Sequence, residues 1–346
     1  MGSVREQYSH MGPNLLFSVK NTSLSFRAAL LEHKNPDTVR GVLEQLPLNS
    51  FLTNTVIAGE TLQIGTKIVS LKGAHMVERE LGGVYCYAPG AQINVCYGKV
   101  TETAKVNQFA QVYAEDLDDL RLVGKLVREQ TMASANRKIV RISVSLIGGT
   151  TEPAIIKQPD VALPSDPNHW RVVKAEIEKS IENNWHDEPD EIRLIRLGVV
   201  QSGAGTGGSS YPILVHDKAY LMVDGGGILF RCLKLSTNEN ITVEVLKTIT
   251  NSIFFETFDH FVFFGDLGLE TLKNLGSRYK AALDSVHTTD EYVELSAPLL
   301  LIFNVFHRWI NLIFPWHHGA EYPHCTFANI ADASKLPTYG DDVAKA

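Results

Sequence analysis

Alternation of apolar and polar residues predicts that the first part of the chain is mostly β-strand. The segments LLFSVKN and LSFRAAL flank the turn-forming cluster Asn21-Thr22-Ser23, which predicts a hairpin. Helical spacing of apolar residues predicts one helix after Asn35-Pro36-Asp37 and a second from Asp116 to Gln130. Further strands are predicted near 51–57, 61–63 and 67–71, and in VYCYA, QINVCYG, FAQVYA and IVRISVSLI. Many short strands with only two helices are typical of a closed or nearly closed barrel.

Helical spacing dominates the second part of the chain. A charged amphipathic helix is predicted from Trp170 to Trp185, and three more are predicted at about 242–264, 266–283 and 289–313. Between them, EIRLIRLGVV is predicted as a strand or a helix-to-strand transition, and a glycine-rich loop follows at 202–210. Strands are predicted in PILVH, AYLMVD and ILFRCLK. The three later helices predict a small helical bundle.

These patterns divide the chain into two folded parts, which its length of 346 residues also favours at about 150 residues per domain. A stretch rich in proline and glycine separates them and is typical of a domain boundary. The predicted organisation is a disordered N-terminus (1–13), a barrel domain (14–150), a linker (151–168), a C-terminal domain (169–330) and a disordered tail (331–346). The expected fold class is therefore α+β, a β-barrel domain followed by a mostly helical bundle domain.

The apolar segment PLLLIFNVFHRWINLIFPW has nearly the length of a membrane span. Asn304, His307, Arg308 and Asn311 interrupt it at spacings that place them on one side of a helix. A charge at mid-span is costly, so we expect an amphipathic helix of the bundle and no membrane association. Contact with a second copy of the chain through these C-terminal helices remains open.

Charge and cysteine content narrow the function classes. With 44% apolar residues and a formal net charge of −7, the chain has ample core and an acidic balance that argues against general nucleic-acid binding. The four cysteines, Cys86, Cys96, Cys232 and Cys325, contain no C-x-x-C pair, and we expect reduced thiols in a cytoplasmic protein. No apolar run at the N-terminus indicates a signal peptide. The histidines His317, His318 and His324 have weak ligand spacing, so no metal site is predicted.

Two separated blocks of sequence resemble a known enzyme family. AGETLQIG (58–65), YAPGAQINVCYG (87–98) and TETAKVNQFAQV (101–112) resemble the cyclophilin-like barrel of bacterial proteins that include opine-forming synthases. EPDEIRLIRLGVVQSGAGTGG (188–208) and the apolar helices after it resemble the second half of cucumopine and mikimopine synthases. The resemblance implies a cyclophilin-like domain followed by a helical domain. It also implies a redox-neutral Pictet–Spengler condensation of L-histidine with 2-oxoglutarate, needing no cofactor.

The glycine-rich loop offers a competing interpretation. Gly203, Gly205 and Gly208 spell G-x-G-x-x-G, and Asp224 follows where a ribose-binding acid belongs. This pattern would suit an NADH-dependent reductive opine dehydrogenase. A dinucleotide-binding loop must however open a helix, whereas Pro212 and the β-rich YPILVH follow this one. We therefore expect the loop, including Thr206, to contact substrate carboxylates. A non-catalytic, cyclophilin-like binding protein is the third alternative.

The implied reaction needs groups that move protons. Glu102 follows the strand QINVCYG, where the barrel would hold a general acid or base rigidly. Glu60 precedes a short strand, and Tyr97 lies on the strand before Glu102. Lys174 lies one turn into the helix that begins at Trp170, where burial would lower its pKa. These four residues, Glu102, Lys174, Tyr97 and Glu60, are the predicted catalytic groups, although a surface or core position would be the ordinary explanation of each.

The reaction also needs groups that bind carboxylates and position the substrates. Arg27 lies within the apolar strand LSFRAAL, so its guanidinium would need a carboxylate partner. Lys20 ends the first strand, and Tyr85 and Tyr87 share one face of another. The predicted substrate-binding set is Lys20, Arg27, Tyr85, Tyr87, Asn107, Gly203, Gly205 and Thr206.

Overall fold

The computed structural model describes residues 14–55, 58–133, 138–148, 162–197, 199, 215, 226–256 and 261–313. Its N-terminal part is an antiparallel barrel and its C-terminal part is a bundle of helices, which confirms the predicted α+β class. The predicted termini 1–13 and 331–346, the three histidines at 317, 318 and 324, and the strands PIL and AYLMVD lie outside the described residues.

The barrel closes because both strands of its first hairpin pair with later strands: β1 pairs with β9, and β2 pairs with β8. Within the described residues, the order around the ring is β2-β1-β9-β3-β4-β7-β6-β8, and β8 pairs back with β2. The short β5 adds to β8 outside the ring. The strands are β1 (Asn14–Val19), β2 (Ser25–Leu30), β3 (Leu48–Asn54), β4 (Gly59–Gly65), β5 (Met76–Val77), β6 (Gly83–Tyr87), β7 (Gln92–Val100), β8 (Val106–Val112) and β9 (Val140–Leu146). The segment 67–71, predicted as a strand, forms none.

Alternation along the strands fills the barrel with apolar side chains. Phe17, Ile142, Leu52 and Val95 all have relative exposures of 1% or less and belong to one core cluster. Residues directly opposite each other on paired strands point to the same face of the sheet. The pairings therefore place the apolar residues of successive strands on the inner face all around the ring. The burial of one large aliphatic or aromatic side chain contributes about 1.5–3 kcal/mol, so the interior supplies most of the barrel's stability.

Helices cover the barrel and form the second part. The helix α2 packs against strands from opposite sides of the ring and closes its interior. The helices are α1 (Pro36–Leu43), α2 (Leu117–Thr131), α3 (Trp170–Trp185), α4 (Asp190–Arg196), α5 (226–235), α6 (Val243–Ile249, continued by a π-helical segment Thr250–Phe255), α7 (Phe261–Asp266), α8 (Glu270–Ala282) and α9 (Thr289–Ile313). The strand predicted in ILFRCLK is wrong, because this segment forms most of α5. EIRLIR forms α4, which excludes the plain strand and agrees with the helical start of the predicted helix-to-strand transition.

The long helix α9 is the centre of the bundle. Among the described residues it is the one helix whose length and composition would suit a membrane span, yet 67% of its apolar window is buried within the protein. Phe303, Phe306 and Trp309 are at most 1% exposed. The expected amphipathic bundle helix is therefore what the structure shows.

The bundle docks onto the outside of the barrel through α3 and α9. The indole Nε1 of Trp185 donates to the carbonyl of Asn49 at 2.9 Å. The Phe51 and Trp309 rings lie 4.7 Å apart between centroids. Asn304 Nδ2 donates to the carbonyl of Pro89 at 3.0 Å. The polar side of α9 predicted from sequence thus faces the barrel.

Candidate active site

Polar side chains are buried on the outer face of β4, β7 and β6. Leu62 and Val95 point into the barrel, so their neighbours Thr61, Asn94 and Cys96 point outward. Thr61, Asn94 and Cys96 have exposures of 0%, 3% and 0%, which is unusual for polar groups on the outside of a barrel. With Gln63 and Tyr85, which stand opposite Asn94 on the neighbouring strands, they form what we term the polar band.

A buried ion pair stands at one end of the polar band. Nη1 of Arg79 lies 3.0 Å from Oε2 of Glu102, and the two side chains are 5% and 32% exposed. The same Nη1 donates to the carbonyl of Ala104 at 3.1 Å. Glu102 and the carbonyl of Ala104 thus hold Arg79 as a fixed cation. Glu102 itself reaches the surface and is accessible to a ligand.

The charge of Arg79 acts on the band itself. Burial raises the pKa of the Cys96 thiol and of the Tyr85 hydroxyl, and in both cases the positive charge of Arg79 opposes the increase. Both groups stay neutral at physiological pH. The end of the band therefore combines a cation, an accessible carboxylate and neutral polar groups.

Three buried polar atoms of the polar band and of Arg79 have no hydrogen-bond partner among the described residues: Nε of Arg79, Oγ1 of Thr61 and Oδ1 of Asn94. A buried donor or acceptor left without a partner costs about 1–3 kcal/mol. One donor, one acceptor and one hydroxyl, which can be either, are thus available to a ligand that carries both kinds of group.

Glu60 is held close to the band by the backbone. Its Oε2 accepts from the amide of Lys99 at 2.6 Å, and a Cβ on Gly98 would lie 2.0 Å from that oxygen. The register of β4 and β7 shifts at this point, between Gly59 and Thr61. The negative charge of Glu60 raises the pKa of the Cys96 thiol, though less than burial does. Glu60 is therefore near the band, with one oxygen engaged in fixing the irregular strand pairing.

The three tyrosines of the predicted site are not brought together. The Tyr85 hydroxyl accepts from the amide of Glu80 at 2.7 Å and donates to the carbonyl of Glu80 at 3.2 Å, which pins the loop carrying Arg79. The Tyr97 hydroxyl donates to Oδ1 of Asn54 at 2.9 Å inside the barrel, where burial raises its pKa to about 12. Tyr87 is 37% exposed.

The predicted cations lie away from the band. Arg27 makes a bidentate pair with Asp116, each contact 2.8 Å, on β2, which is on the opposite side of the ring from β4. Lys174 Nζ bonds Glu294 Oε2 at 2.9 Å and joins α3 to α9. Lys20 is exposed just after β1. The carboxylate that the sequence indicated for Arg27 is therefore supplied by the protein itself.

Asn107 belongs to a buried hydrogen-bond network that has a structural role. Its Oδ1 accepts from Asn35 Nδ2 at 2.6 Å, and its Nδ2 donates to Thr38 Oγ1 at 3.0 Å. Asn35 precedes α1, so this buried network fixes that helix to β8. The predicted contacts of Gly203, Gly205 and Thr206 lie outside the described residues.

The sequence interpretation missed two arginines. Arg79 lies in the irregular segment VERELGG, where a charged residue is the expected surface feature, and its burial follows from the β6–β8 pairing that folds this segment over the sheet. Arg308 belongs to the polar side of the helix that the sequence predicts, and its position there indicates no further role. Within the described residues, no group of three or more histidine, cysteine or acidic side chains is arranged to hold a metal.

The three cysteines that the structure describes, Cys86, Cys96 and Cys232, are buried free thiols, in line with the expected reduced state. Cys325 lies outside the described residues.

Comparison with known families gives a match in the C-terminal part of the chain. Residues 170–313 match the family described as "Cucumopine synthase C-terminal helical bundle domain". A solved structure described as McbB in complex with tryptophan is similar over 90% of this chain and 100% of that chain, with a TM-score of 0.77 and 24% identity. At that identity the likeness shows the shared fold.

A hypothetical protein, AF2241 from Archaeoglobus fulgidus, shares 19% identity over 38% of this chain and 93% of that chain, and its TM-score of 0.28 carries no argument. No curated protein sequence matches the chain significantly.

Proposed function

From the match of residues 170–313 to the cucumopine synthase C-terminal helical bundle family, we propose that the protein is a synthase of the Pictet–Spengler type. Its substrates in this proposal are L-histidine and 2-oxoglutarate, and its product is cucumopine or its stereoisomer mikimopine. The observation that carries the proposal is the buried Arg79 paired with the accessible Glu102 beside the polar band. A fixed cation next to a proton acceptor suits a reaction between two carboxylate-bearing substrates.

The reaction is a condensation in which no electrons are gained or lost. The α-amine of histidine attacks the ketone carbon of 2-oxoglutarate, and water leaves to give an imine. A carbon of the imidazole then attacks the imine carbon and closes a six-membered ring. The proton on that imidazole carbon is lost in the last step. The product equals the two substrates less one water, so no redox cofactor takes part in the proposed reaction.

The two charged residues have different roles in this scheme. Nε of Arg79, which has no protein partner among the described residues, binds a substrate carboxylate. Glu102 accepts the proton that the imidazole carbon releases, because it is the carboxylate that both contacts Arg79 and reaches the surface. Oδ1 of Asn94 accepts a hydrogen bond from the substrate amine. Burial of Arg79 and Asn94 strengthens their contacts with the substrates, while the exposed part of Glu102 leaves a path for the released proton.

The structural similarity supports an amino acid as one substrate. McbB, the protein of similar fold, was solved in complex with tryptophan. Tryptophan and histidine both carry a nucleophilic aromatic ring two bonds from the α-carbon. The choice of histidine comes from the sequence resemblance to cucumopine and mikimopine synthases.

Two parallel incubations test this proposal. Purified protein is incubated with L-histidine and 2-oxoglutarate, with and without NADH, and the product mass is measured. We expect a product of the summed mass less one water in both samples. A product that needs NADH would favour the reductive dehydrogenase and contradict the proposal. Tryptophan in place of histidine and pyruvate in place of 2-oxoglutarate test the choice of substrates separately.

A further inference from the structure

Arg308 occupies an unusual position between the bundle and the barrel. It lies on α9, and its Cζ is 4.4 Å from the centre of the Phe51 ring and 4.3 Å from that of the Trp185 ring. A Cβ on Gly65 would lie 1.5 Å from Nη1 of Arg308, so a larger residue at that position of β4 would displace the guanidinium. The guanidinium is therefore clamped between one ring of each part of the molecule.

Among the residues that the structure describes, no carboxylate balances the charge of Arg308. Nη1 contacts Ser50 Oγ at 3.3 Å, while Nε and Nη2 are buried without a hydrogen-bond partner in the described part of the chain. No salt bridge to Arg308 is formed by the described residues, in contrast to Arg27, Arg79 and Arg196. The two rings supply cation–π attraction, but they accept none of the N–H hydrogen bonds in the guanidinium plane.

A buried charge in this state is costly. Burial lowers the pKa of Arg308 to about 9, yet the group remains cationic at neutral pH. Removal of one partner from a buried ion pair costs about 3–5 kcal/mol, because it leaves a charge without compensation. Arg308 has this arrangement in the protein without ligands, so an anion that reached it would be bound strongly.

The space beside Arg308 sets the size of that anion. A cavity of about 20 Å³ lies between the barrel and α9, and Gln63, Gln92, Asn304 and Arg308 are among its lining residues. This volume accommodates one water-sized particle, since one water needs at least about 10–15 Å³ by the same measure. An amino acid or an oxo acid is far too large.

The lining has the chemistry of an anion site. No acidic side chain is among the described residues that line the cavity. The carbonyl oxygen of Gln63 already accepts from Thr53 at 3.0 Å, so its amide nitrogen is its remaining polar atom. Together with Nε and Nη2 of Arg308, this gives three N–H donors from two side chains and no competing negative charge.

We propose that the cavity beside Arg308 binds a single small monovalent anion of the size of chloride, which completes the docking of the bundle onto the barrel. The cavity lies toward the Gly65 end of β4 and shares Gln63 with the polar band, whereas the charge of Arg79 acts on Cys96, which stands opposite Thr61 toward the other end. Because β4 rises about 3.4 Å per residue, Gly65 lies roughly 14 Å along the strand from Thr61. The anion neutralises the guanidinium and accepts hydrogen bonds from Nε and Nη2, which the described residues leave without a partner. It therefore stabilises the complete molecule without entering the reaction.

Bromide provides a direct test, because it resembles chloride and scatters anomalously. Crystals of the wild-type protein are soaked in sodium bromide, and anomalous difference maps are calculated near the bromine absorption edge. We expect a peak within about 3.5 Å of Nε or Nη2 of Arg308, a charge-assisted hydrogen-bond distance for a large anion. A cavity that contains only a water peak would overturn the proposal.

Thermal unfolding tests the same site in solution at constant ionic strength, with chloride replaced by gluconate, which cannot fit. The melting temperature should rise with chloride and then saturate, by about 2 °C or more. Arg308→Met should abolish this response. Arg193→Met, which removes an exposed arginine paired with Asp190, should keep it. A response to chloride that survives in Arg308→Met would contradict the proposal. Should that variant not fold, the bromide map decides.

Discussion

Glu102 is the side chain on which the proposed chemistry depends most. Changing Glu102→Gln keeps its size and removes its capacity to accept a proton, so we expect turnover to fall about 100-fold or more with the fold intact. Glu115→Gln is the matched control, since Glu115 also pairs with an arginine, Arg27, but on the far side of the barrel. Initial rates and far-ultraviolet circular dichroism of both variants provide the measurement. Near-normal turnover of Glu102→Gln would remove it from the mechanism.

Tyr97 separates a catalytic from a structural role. Its hydroxyl donates to Asn54 inside the barrel, on the face opposite to the polar band. We expect Tyr97→Phe to change turnover less than two-fold or so and to lower the free energy of unfolding by about 1 kcal/mol, because one buried hydrogen bond is lost. Urea denaturation and initial rates measure the two effects. A large loss of turnover at unchanged stability would restore the catalytic role predicted from the sequence.

Asp116 links stability to pH. Its hydrogen bonds with Arg27 hold the pKa of this carboxyl below its usual value. A lowered pKa in the folded state means that the stabilisation is present above the ordinary pKa of about 3.9 and is lost as the pH falls through the folded value. We expect the free energy of unfolding to fall less between about pH 7 and pH 2.5 in Asp116→Asn than in the wild type. Equal losses in the two proteins would show that the pair contributes no such dependence.

Single residues also show where sequence reasoning reached the site and where it stopped. Glu102 could be predicted because it follows directly on a strand with clear alternation. Arg79 could not, because its segment has no periodicity and its burial depends on pairing between β6 and β8. The partner of Arg27 is 89 residues away along the chain. A contact of that range leaves no local signal.

Among the secondary-structure elements, α2 shows how closely helix and barrel are matched. A Cβ on Gly124 would lie 2.3 Å from the Tyr97 ring. Gly124→Ala should gain about 1 kcal/mol of helix propensity but lose more through overpacking, which costs about 1–3 kcal/mol. We therefore expect a net loss in the free energy of unfolding. Gly41→Ala on α1 is the control, because its Cβ would meet Ile68 at an ordinary 3.7 Å and should stabilise the protein.

The elements were predictable where the period was long and regular. The hairpin of β1 and β2, the helix α3 from Trp170 to Trp185, and α9 were all predicted and are confirmed. The strand predicted in ILFRCLK was wrong. A short apolar run fits a buried helix as well as a strand, and only tertiary packing decides between them. There, Leu229 and Leu233 are fully buried at helical spacing.

The whole molecule should unfold as one unit. All four tryptophans of the chain follow residue 169, and the three in the described residues lie in α3 and α9, so their fluorescence reports on the bundle, whereas the described strands are in the barrel. Because Trp185, Trp309 and Asn304 contact the barrel directly, we expect fluorescence and circular dichroism to give the same urea midpoint. Phe51→Ala, a change in the barrel, should lower the fluorescence midpoint as well. Two separate midpoints would mean that the two parts fold independently.

The position of β9 has a consequence for how the chain is made. This strand lies between β1 and β3, although about 120 residues of sequence separate Val140, where it begins, from Val19, where β1 ends. During synthesis, every other strand of the ring has left the ribosome before β9 does, and β1 and β3 wait with unpaired edges. Such edges recruit strands from other chains, so nascent polypeptides that stop short of Leu146 should aggregate or be retained by chaperones. The barrel is completed by the last strand to emerge, and only then does the bundle have a surface on which to dock.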